Sequence, residues 1–239
     1  MTVCHVLRED PDLAEAVPPG LRAEAVGACV TRTLQLPRGG WNPAETAAIG
    51  TGIGLLVLDG LLLRRVGVDG RFGAELLGEG DLLRPWQGED TTPALTRTTR
   101  WRVLQPVRLA LLDHEAARCF SVYPELTGRF VARALDRSRN LTVNMAIVHQ
   151  ARVNMRLQML FWHLADRWGR VTAEGVMLPL NLTHQVLADL IGARRPTVST
   201  SLSELSREGR VAPLRYGWML SGDPPGELLA VQEIEIAGG

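Results

Sequence analysis

The sequence predicts an α+β chain whose strands come first and whose helices follow: an N-terminal antiparallel β-roll, a long helix, and a small helical unit closed by a β-hairpin. Three observations predict this. Apolar, β-rich runs punctuated by Gly, Pro and Asp fill residues 29–113, the pattern of short antiparallel strands. Between Gly128 and Gly169 there is neither Gly nor Pro, an interval well beyond an average helix. Residues 182–211, LTHQVLADLIGARRPTVSTSLSELSREGRV, read as two short helices, a tight turn and a stop.

The chain opens with a polar, helix-prone segment to about Ala28, broken at Pro18-Pro19-Gly20 and expected to cover the strands after it. The runs CVTRTLQL, IGLLVLDGLLLRRV, RFGAELL and TRWRVLQPVRLALLD then supply those strands, and Asp59-Gly60 is expected to turn a two-residue hairpin within Leu55 to Val66. After Asp113 the pattern becomes helical. HEAARCFSVY forms a short helix broken at Pro124. Phe130, Ala134, Leu141, Met145 and Val148 then recur at steps of three and four, and Val153, Leu157, Leu160, Phe161 and Leu164 continue in a shifted phase. Two helices meeting near Ala151 satisfy both stripes. The first is a core helix of a monomer or the pairing helix of a dimer, and Arg133, Arg137, Arg139 and Arg152 are expected on its solvated faces.

Residues 182–211 carry the chemistry. The Thr183 hydroxyl caps the first helix, and Val186, Leu187, Leu190 and Ile191 form its buried face. Ala188 is small where a second helix crosses, and Gly192 provides the left-handed residue that ends the helix after Ile191. Pro196 falls in the first turn of the second helix, where its missing N–H is not needed. That helix runs from about Arg195 to Arg207 on a stripe of Val198, Leu202 and Leu205. Two helices in this order form a helix-turn-helix, whose second member enters the DNA major groove with its first residues at the base edges. An αα-hairpin inside a helical core has the same periodicity. A preceding strand, Val176 to Leu180, and a following β-hairpin in VAPLRYGWMLS around Tyr216-Gly217 favour the winged form of the DNA-binding motif. Arg194, Arg195, Thr197, Ser199, Thr200 and Ser203 face away from the core, and His184 starts the first helix, turned to a phosphate or to solvent.

Charge and cysteines bound the function. Lys plus Arg and Asp plus Glu both number 26, and every basic residue is Arg, so attraction to nucleic acid must be local. From Thr183 to Leu220, Arg194, Arg195, Arg207, Arg210 and Arg215 outweigh Asp189, Glu204 and Glu208. Cys4, Cys29 and Cys119 are scattered and odd in number, as expected of packing residues or free thiols in a reducing cytoplasm, without a cysteine-held metal or cluster. No apolar run reaches membrane-spanning length and no signal peptide is legible. No P-loop, nucleophile motif or metal spacing suggests an enzyme, and Asp113-His114-Glu115 suits a helix start.

Roll, long helix, second helix and winged helix-turn-helix, in that order, resemble the Crp/Fnr family of transcriptional regulators over nearly the whole chain, most strongly at residues 182–211 and in LFWHLADRWG. The resemblance implies a cyclic-nucleotide-binding-like sensor roll over 1–122, a dimerisation helix over 123–152 and a winged helix-turn-helix over 153–239. It also implies double-stranded DNA as partner, a homodimer, and RNA polymerase as a further partner. The family's base-reading positions match Arg195, Pro196 and Thr200; Pro196 stands where Glu is usual and Thr200 where Arg is usual, so a different DNA sequence is expected. In the sensor, Gly80-Asp81 is present, but Arg84-Pro85 replaces the Gly-Glu pair that holds the ribose, and Thr91-Thr92-Pro93-Ala94 lacks the Arg-Ser pair that holds the phosphate. Arg97-Thr98 is the nearest approach to that pair. Cyclic AMP is therefore not the expected effector; Arg84, Trp86, Arg97 and Thr98 are the candidates for holding another one. The alternative is a ligand- or partner-binding sensor whose helix-turn-helix has degenerated.

Overall fold

In the computed structural model residues 2–44, 52–86 and 96–226 are described, and the chain divides into two units, Met1–Asn140 and Leu141–Gly239. The first is the roll. Its antiparallel sheet has the order β1 (Thr2–His5), β2 (Val30–Leu36), β7 (Arg97–Leu112), β4 (Gly54–Val68), β5 (Arg71–Leu77), with β3 (Gly39–Trp41) beside β7 and β6 (Leu82–Leu83) beside β4.

The near-continuous apolar runs of β4 and β7 have a physical cause: both strands are covered on both faces. Successive side chains point to opposite sides of a sheet. Leu55, Val57, Leu109 and Leu111 accordingly join Trp41, Leu77 and Trp101 in one core, while Leu56, Leu58, Ala110 and Leu112 join the N-terminal helices in another.

Asp59-Gly60 does not turn a hairpin. β4 runs straight through it, and the ladder with β7 slips between Val57 and Leu62. Val57 and Leu62 consequently face the same core, which an unbroken two-residue alternation forbids and a bulge permits. Gly60 sits at φ +95°, and a Cβ there would lie 2.1 Å from the Pro106 carbonyl oxygen. Pro106 has no N–H to give the ladder. The glycine signal is real, but it marks a bulge opposite a proline.

The N-terminal segment is also more than a polar cover. Val3 and its neighbours form β1 on the sheet edge, and α1 (Val6–Glu9), α2 (Pro11–Ala16) and α3 (Pro19–Ala28) bury Val6, Leu7, Leu13, Val17 and Ala25. The break expected at the prolines separates α2 from α3. Next come α4 (His114–Ser121), capped by Asp113 through the amides of Glu115 and Ala116, and α5 (Pro124–His149). Phe120 and Phe130 join them with ring centroids 5.9 Å apart, a contact worth about 1 kcal/mol beyond burial.

Two arginines of α5 expected in solvent are instead ion-paired against the roll. Arg133 donates to both carboxylate oxygens of Asp10 at 2.7 Å and also reaches Asp12. Arg137 donates at 2.6 Å to the buried Glu75, which is also 2.5 Å from Arg64. Three- and four-residue spacing located the helix faces but not the acids opposite them. Arg139 and Arg152 are exposed, the former paired with Asp136.

These pairs make the unit acid-sensitive. The hydrogen bond from Arg129, with a second from Arg133, holds the Asp12 carboxyl below its usual range despite some burial, and that from Arg108 does the same for Glu9. A depressed carboxyl contributes its stability above its ordinary value, about 4, and loses it as pH falls through the folded value. In urea titrations from about pH 6 to about pH 2, Asp12→Asn is expected to be less stable than wild type at the upper end, with the gap closing in acid. Parallel curves would contradict the pairing.

In the second unit, α6 (Val153–Trp168) buries Leu157, Leu160, Phe161 and Leu164. The helix junction near Ala151 is borne out: α5 ends at His149 and α6 begins at Val153. A four-stranded antiparallel sheet, β10 (Val211–Leu214), β11 (Gly217–Leu220), β9 (Gly175–Leu178) and β8 (Arg170–Thr172), flanks α7 (His184–Leu190) and α8 (Arg195–Arg207). The preceding strand is shorter than Val176 to Leu180, because Pro179 follows Leu178 and has no N–H to continue the ladder.

Candidate nucleic-acid interface

Buried residues first fix the outward face. Val186, Leu187, Ala188 and Leu190 of α7 and Val198, Ser201, Leu202 and Leu205 of α8 are buried. Thr183 caps α7 through the Val186 amide at 3.3 Å. Ile191 is the C-cap, and Gly192 follows it at φ +62°. The Ala193 amide closes the turn on the Ala188 carbonyl at 2.9 Å, the bonding that a left-handed residue at this place allows. From α6, Arg156 reaches the Ile191 carbonyl and Asn154 donates to Glu204 at 2.8 Å, so both motif helices are bonded to α6.

What remains outside is one surface. Arg194, Arg195, Pro196, Thr197, Thr200 and Ser203 are exposed along the start of α8. Arg195 and Pro196 occupy its first turn, so the proline removes no helical bond. Ser199 is the exception to the outward set. Its hydroxyl lies 2.8 Å from His184 Nδ1 and bonds the Arg195 carbonyl. When that hydroxyl gives its single proton to the carbonyl, His184 Nδ1–H donates to it. His184 therefore spans the two helices and does not simply face solvent. Thr200 and Ser203 likewise donate to the carbonyls four residues back, Pro196 and Ser199, leaving their oxygens free to accept.

Beside α8 the β10–β11 hairpin turns at Arg215 and Tyr216. The guanidinium lies 5.1 Å from the ring centroid, and both residues are exposed. Neither stands among the contact residues expected from the sequence. The signal for them is a basic and an aromatic residue at the tip of the wing. With Arg207 and Arg210, also exposed, they extend the basic surface.

The four residues proposed for an effector do not gather. Arg84 is exposed next to β6, and Trp86 is half-buried against the core of Trp41 and Trp101. Its indole N–H is buried without an acceptor among the described residues. Arg97 and Thr98 are exposed at the start of β7, where Arg97 pairs with Val68, whereas β6 pairs with Leu55 and Leu56 at the other end of β4. Thr91 to Ala94 lie outside the described residues. Gly80 takes φ +84° and Asp81 closes its turn by accepting the Gly78 amide at 2.8 Å.

A roll, a long helix and a winged helix-turn-helix with a basic outer face are the build of a DNA-binding transcriptional regulator. The profile of the Crp-like helix-turn-helix domain matches residues 155–223. The CRP-like cAMP-activated global transcriptional regulator of Mycobacterium tuberculosis is 27% identical over 198 residues, covering 80% of this chain and 85% of that protein. Among solved structures, a CooA variant from Carboxydothermus hydrogenoformans superposes with a TM-score of 0.60 at 16% identity, covering 85% of this chain and 87% of that one. The c-di-GMP-responsive global regulator CLP of Xanthomonas campestris does so at 0.57 and 17%, over 84% and 98%. Residues 155–223 are thus a Crp-like helix-turn-helix domain, and over most of its length the chain is similar to CRP-like transcriptional regulators. Among the described residues no helix is long and apolar enough to cross a membrane.

Proposed function

We propose that this regulator binds a two-fold DNA site as a homodimer, in the cytoplasm, with α8 of each protomer in the major groove. The observation that carries the reading is the exposed first half of α8, where Arg194, Arg195, Thr197, Thr200 and Ser203 stand outward while every apolar side chain of the stripe is buried. Arg195 makes the bidentate contact to guanine O6 and N7. Thr200, whose hydroxyl proton is engaged by Pro196, accepts from a base amine, and Pro196 gives only apolar contact. Thr183, Arg194, Thr197 and Ser203 hold phosphates. His184 and Ser199 act together, keeping the two helices in register. The remaining free amides in the first turn of α8 add a phosphate site.

Dimerisation is supported by α5. Val131, Leu135 and Met145 fall within one stripe of this helix and are 54%, 54% and 63% exposed, an arrangement suited to a second copy of the same helix. In this reading 1–122 is the sensor, 123–152 the pairing helix and 153–239 the DNA reader, with RNA polymerase engaged at the promoter. The sensor answers to something other than cyclic AMP. Arg84 is exposed, Pro85 brings no amide, and Arg97-Thr98 pairs at the other end of the β4 ladder from β6, so Arg84-Pro85 and Arg97-Thr98 do not stand together as a ribose-holding and a phosphate-holding pair.

Arg195→Ala is the direct test. It is expected to weaken specific binding by about 1–3 kcal/mol, roughly 5- to 150-fold, and to relax the preference at one base pair of each half-site. Competition against duplexes varied singly at each position reads this out; an unchanged preference would remove Arg195 from base reading.

A further inference from the structure

Two of the three cysteines, ninety residues apart in sequence, meet in the roll unit: Cys29 Sγ and Cys119 Sγ are 3.5 Å apart. Both are free thiols. Cys29 is the C-cap of α3, and its backbone is fixed on both sides. Its amide donates to the Ala25 carbonyl and its carbonyl accepts from Val6, each at 2.9 Å. Cys119 lies on α4 and is partly exposed, whereas Cys29 is 1% exposed. One sulfur is thus open to a small reagent, and the second waits behind it.

We propose that Cys29 and Cys119 are an oxidisable dithiol, joined as an intramolecular disulfide by a two-electron oxidant of the peroxide class. The Cys119 thiolate attacks one peroxide oxygen. The O–O bond breaks, Cys119 becomes a sulfenic acid, and the departing hydroxide takes a proton to leave as water. The Cys29 thiolate then attacks the Cys119 sulfur, the S–O bond breaks, and a second water leaves with the proton given up by Cys29. Two S–H bonds are exchanged for one S–S bond, and the peroxide carries away both electrons.

The order follows from the surroundings. Cys29 is pushed up to about 12 by burial, then by its hydrogen bond to Cys119 and by the neighbouring charge of that residue. Burial continues to hold Cys29 up, but the charge of Cys119 no longer opposes its ionisation once Cys119 is a neutral sulfenic acid, so the Cys29 thiolate forms more readily at that stage. Closing the sulfurs from 3.5 Å to a bond of about 2.05 Å requires a movement of about 1.5 Å. With the Cys29 backbone bonded at both ends, α4 supplies most of it. α4 leads through Val122 and Tyr123 into α5, so oxidation acts at the start of the long helix. Cys4, buried on β1 and raised by burial and then by the charge of Glu9, is the internal control.

The test uses the full chain treated with hydrogen peroxide, then alkylated in denaturant and examined by intact mass and peptide mapping. The expected product has lost about 2 Da, carries a cross-linked peptide pair containing Cys29 and Cys119, and takes alkylation only at Cys4. Dithiothreitol restores alkylation at all three cysteines. In Cys29→Ala, the same treatment is expected to carry Cys119 on to the sulfinic acid, since nothing resolves the sulfenic acid. Three alkylated cysteines after peroxide, a cross-link through Cys4 or between two chains, or a Cys119 sulfinic acid beside a free Cys29 in wild type would each overturn the proposal. DNA binding does not enter the readout, so the result stands apart from the DNA-reading assignment.

Discussion

Arg133→Ala is expected to lower the free energy of unfolding by about 3 kcal/mol, because breaking a largely buried ion pair leaves an uncompensated charge behind. Arg133 is 16% exposed and Asp10 7% at the side chain. The arginine holds both Asp10 oxygens, reaches Asp12 and approaches the Gly80 carbonyl at 3.4 Å. Without it, the Asp10 carboxylate keeps, among the described residues, the bond from the Leu13 amide at 3.1 Å, which caps α2. Arg133→Lys should recover only part of the loss, since an ammonium cannot grip two carboxylate oxygens as a planar fork does. Adding Asp10→Asn to Arg133→Ala should recover more, because it removes the stranded charge and keeps an oxygen to cap the helix. Urea midpoints of the three variants check this; an Arg133→Ala midpoint equal to wild type would mean the pair is solvated.

Gly192→Val is expected to combine a stability loss of about 1–3 kcal/mol with the loss of specific DNA binding. At φ +62° a β-branched side chain is strained whatever space surrounds it, and its Cβ would stand 3.2 Å from Val148 Cγ1. To relieve both, the turn must open, and the angle between α7 and α8 changes with it. Gly192→Asn meets Val148 in the same way but tolerates the left-handed backbone better, so it should retain most of the binding. Thermal midpoints together with duplex titrations separate the two substitutions. Equal loss in both would put the contact with Val148, not the backbone, in control.

The winged helix-turn-helix was legible because its signals are local. A capping threonine, a small Ala188, a left-handed Gly192, a first-turn Pro196 and two apolar stripes act within a few residues of one another, and each stands in the structure where the spacing put it. The end of α5 and the start of α6 were legible from a change of stripe phase. What the sequence hid depends on partners far along the chain. Nothing near Gly60 reveals that Pro106 will lie across from it, so a bulge looked like a turn. Nothing near Arg133 or Arg137 reveals Asp10 or Glu75, so paired arginines looked solvated. Cys29 and Cys119 show no paired spacing, and only the roll brings them to 3.5 Å. The His184–Ser199 bond is shorter-range, but a histidine at a helix start gives no sign of which neighbour it will meet.

Selection from a random duplex pool by the full-length chain, with no nucleotide added, tests the DNA-reading assignment most directly. A homodimer reading DNA through α8 predicts an enriched, inverted pair of half-sites centred about 10 base pairs apart, with a guanine in each half-site whose preference disappears in Arg195→Ala. Enrichment of no motif, or of a single asymmetric one, would contradict it.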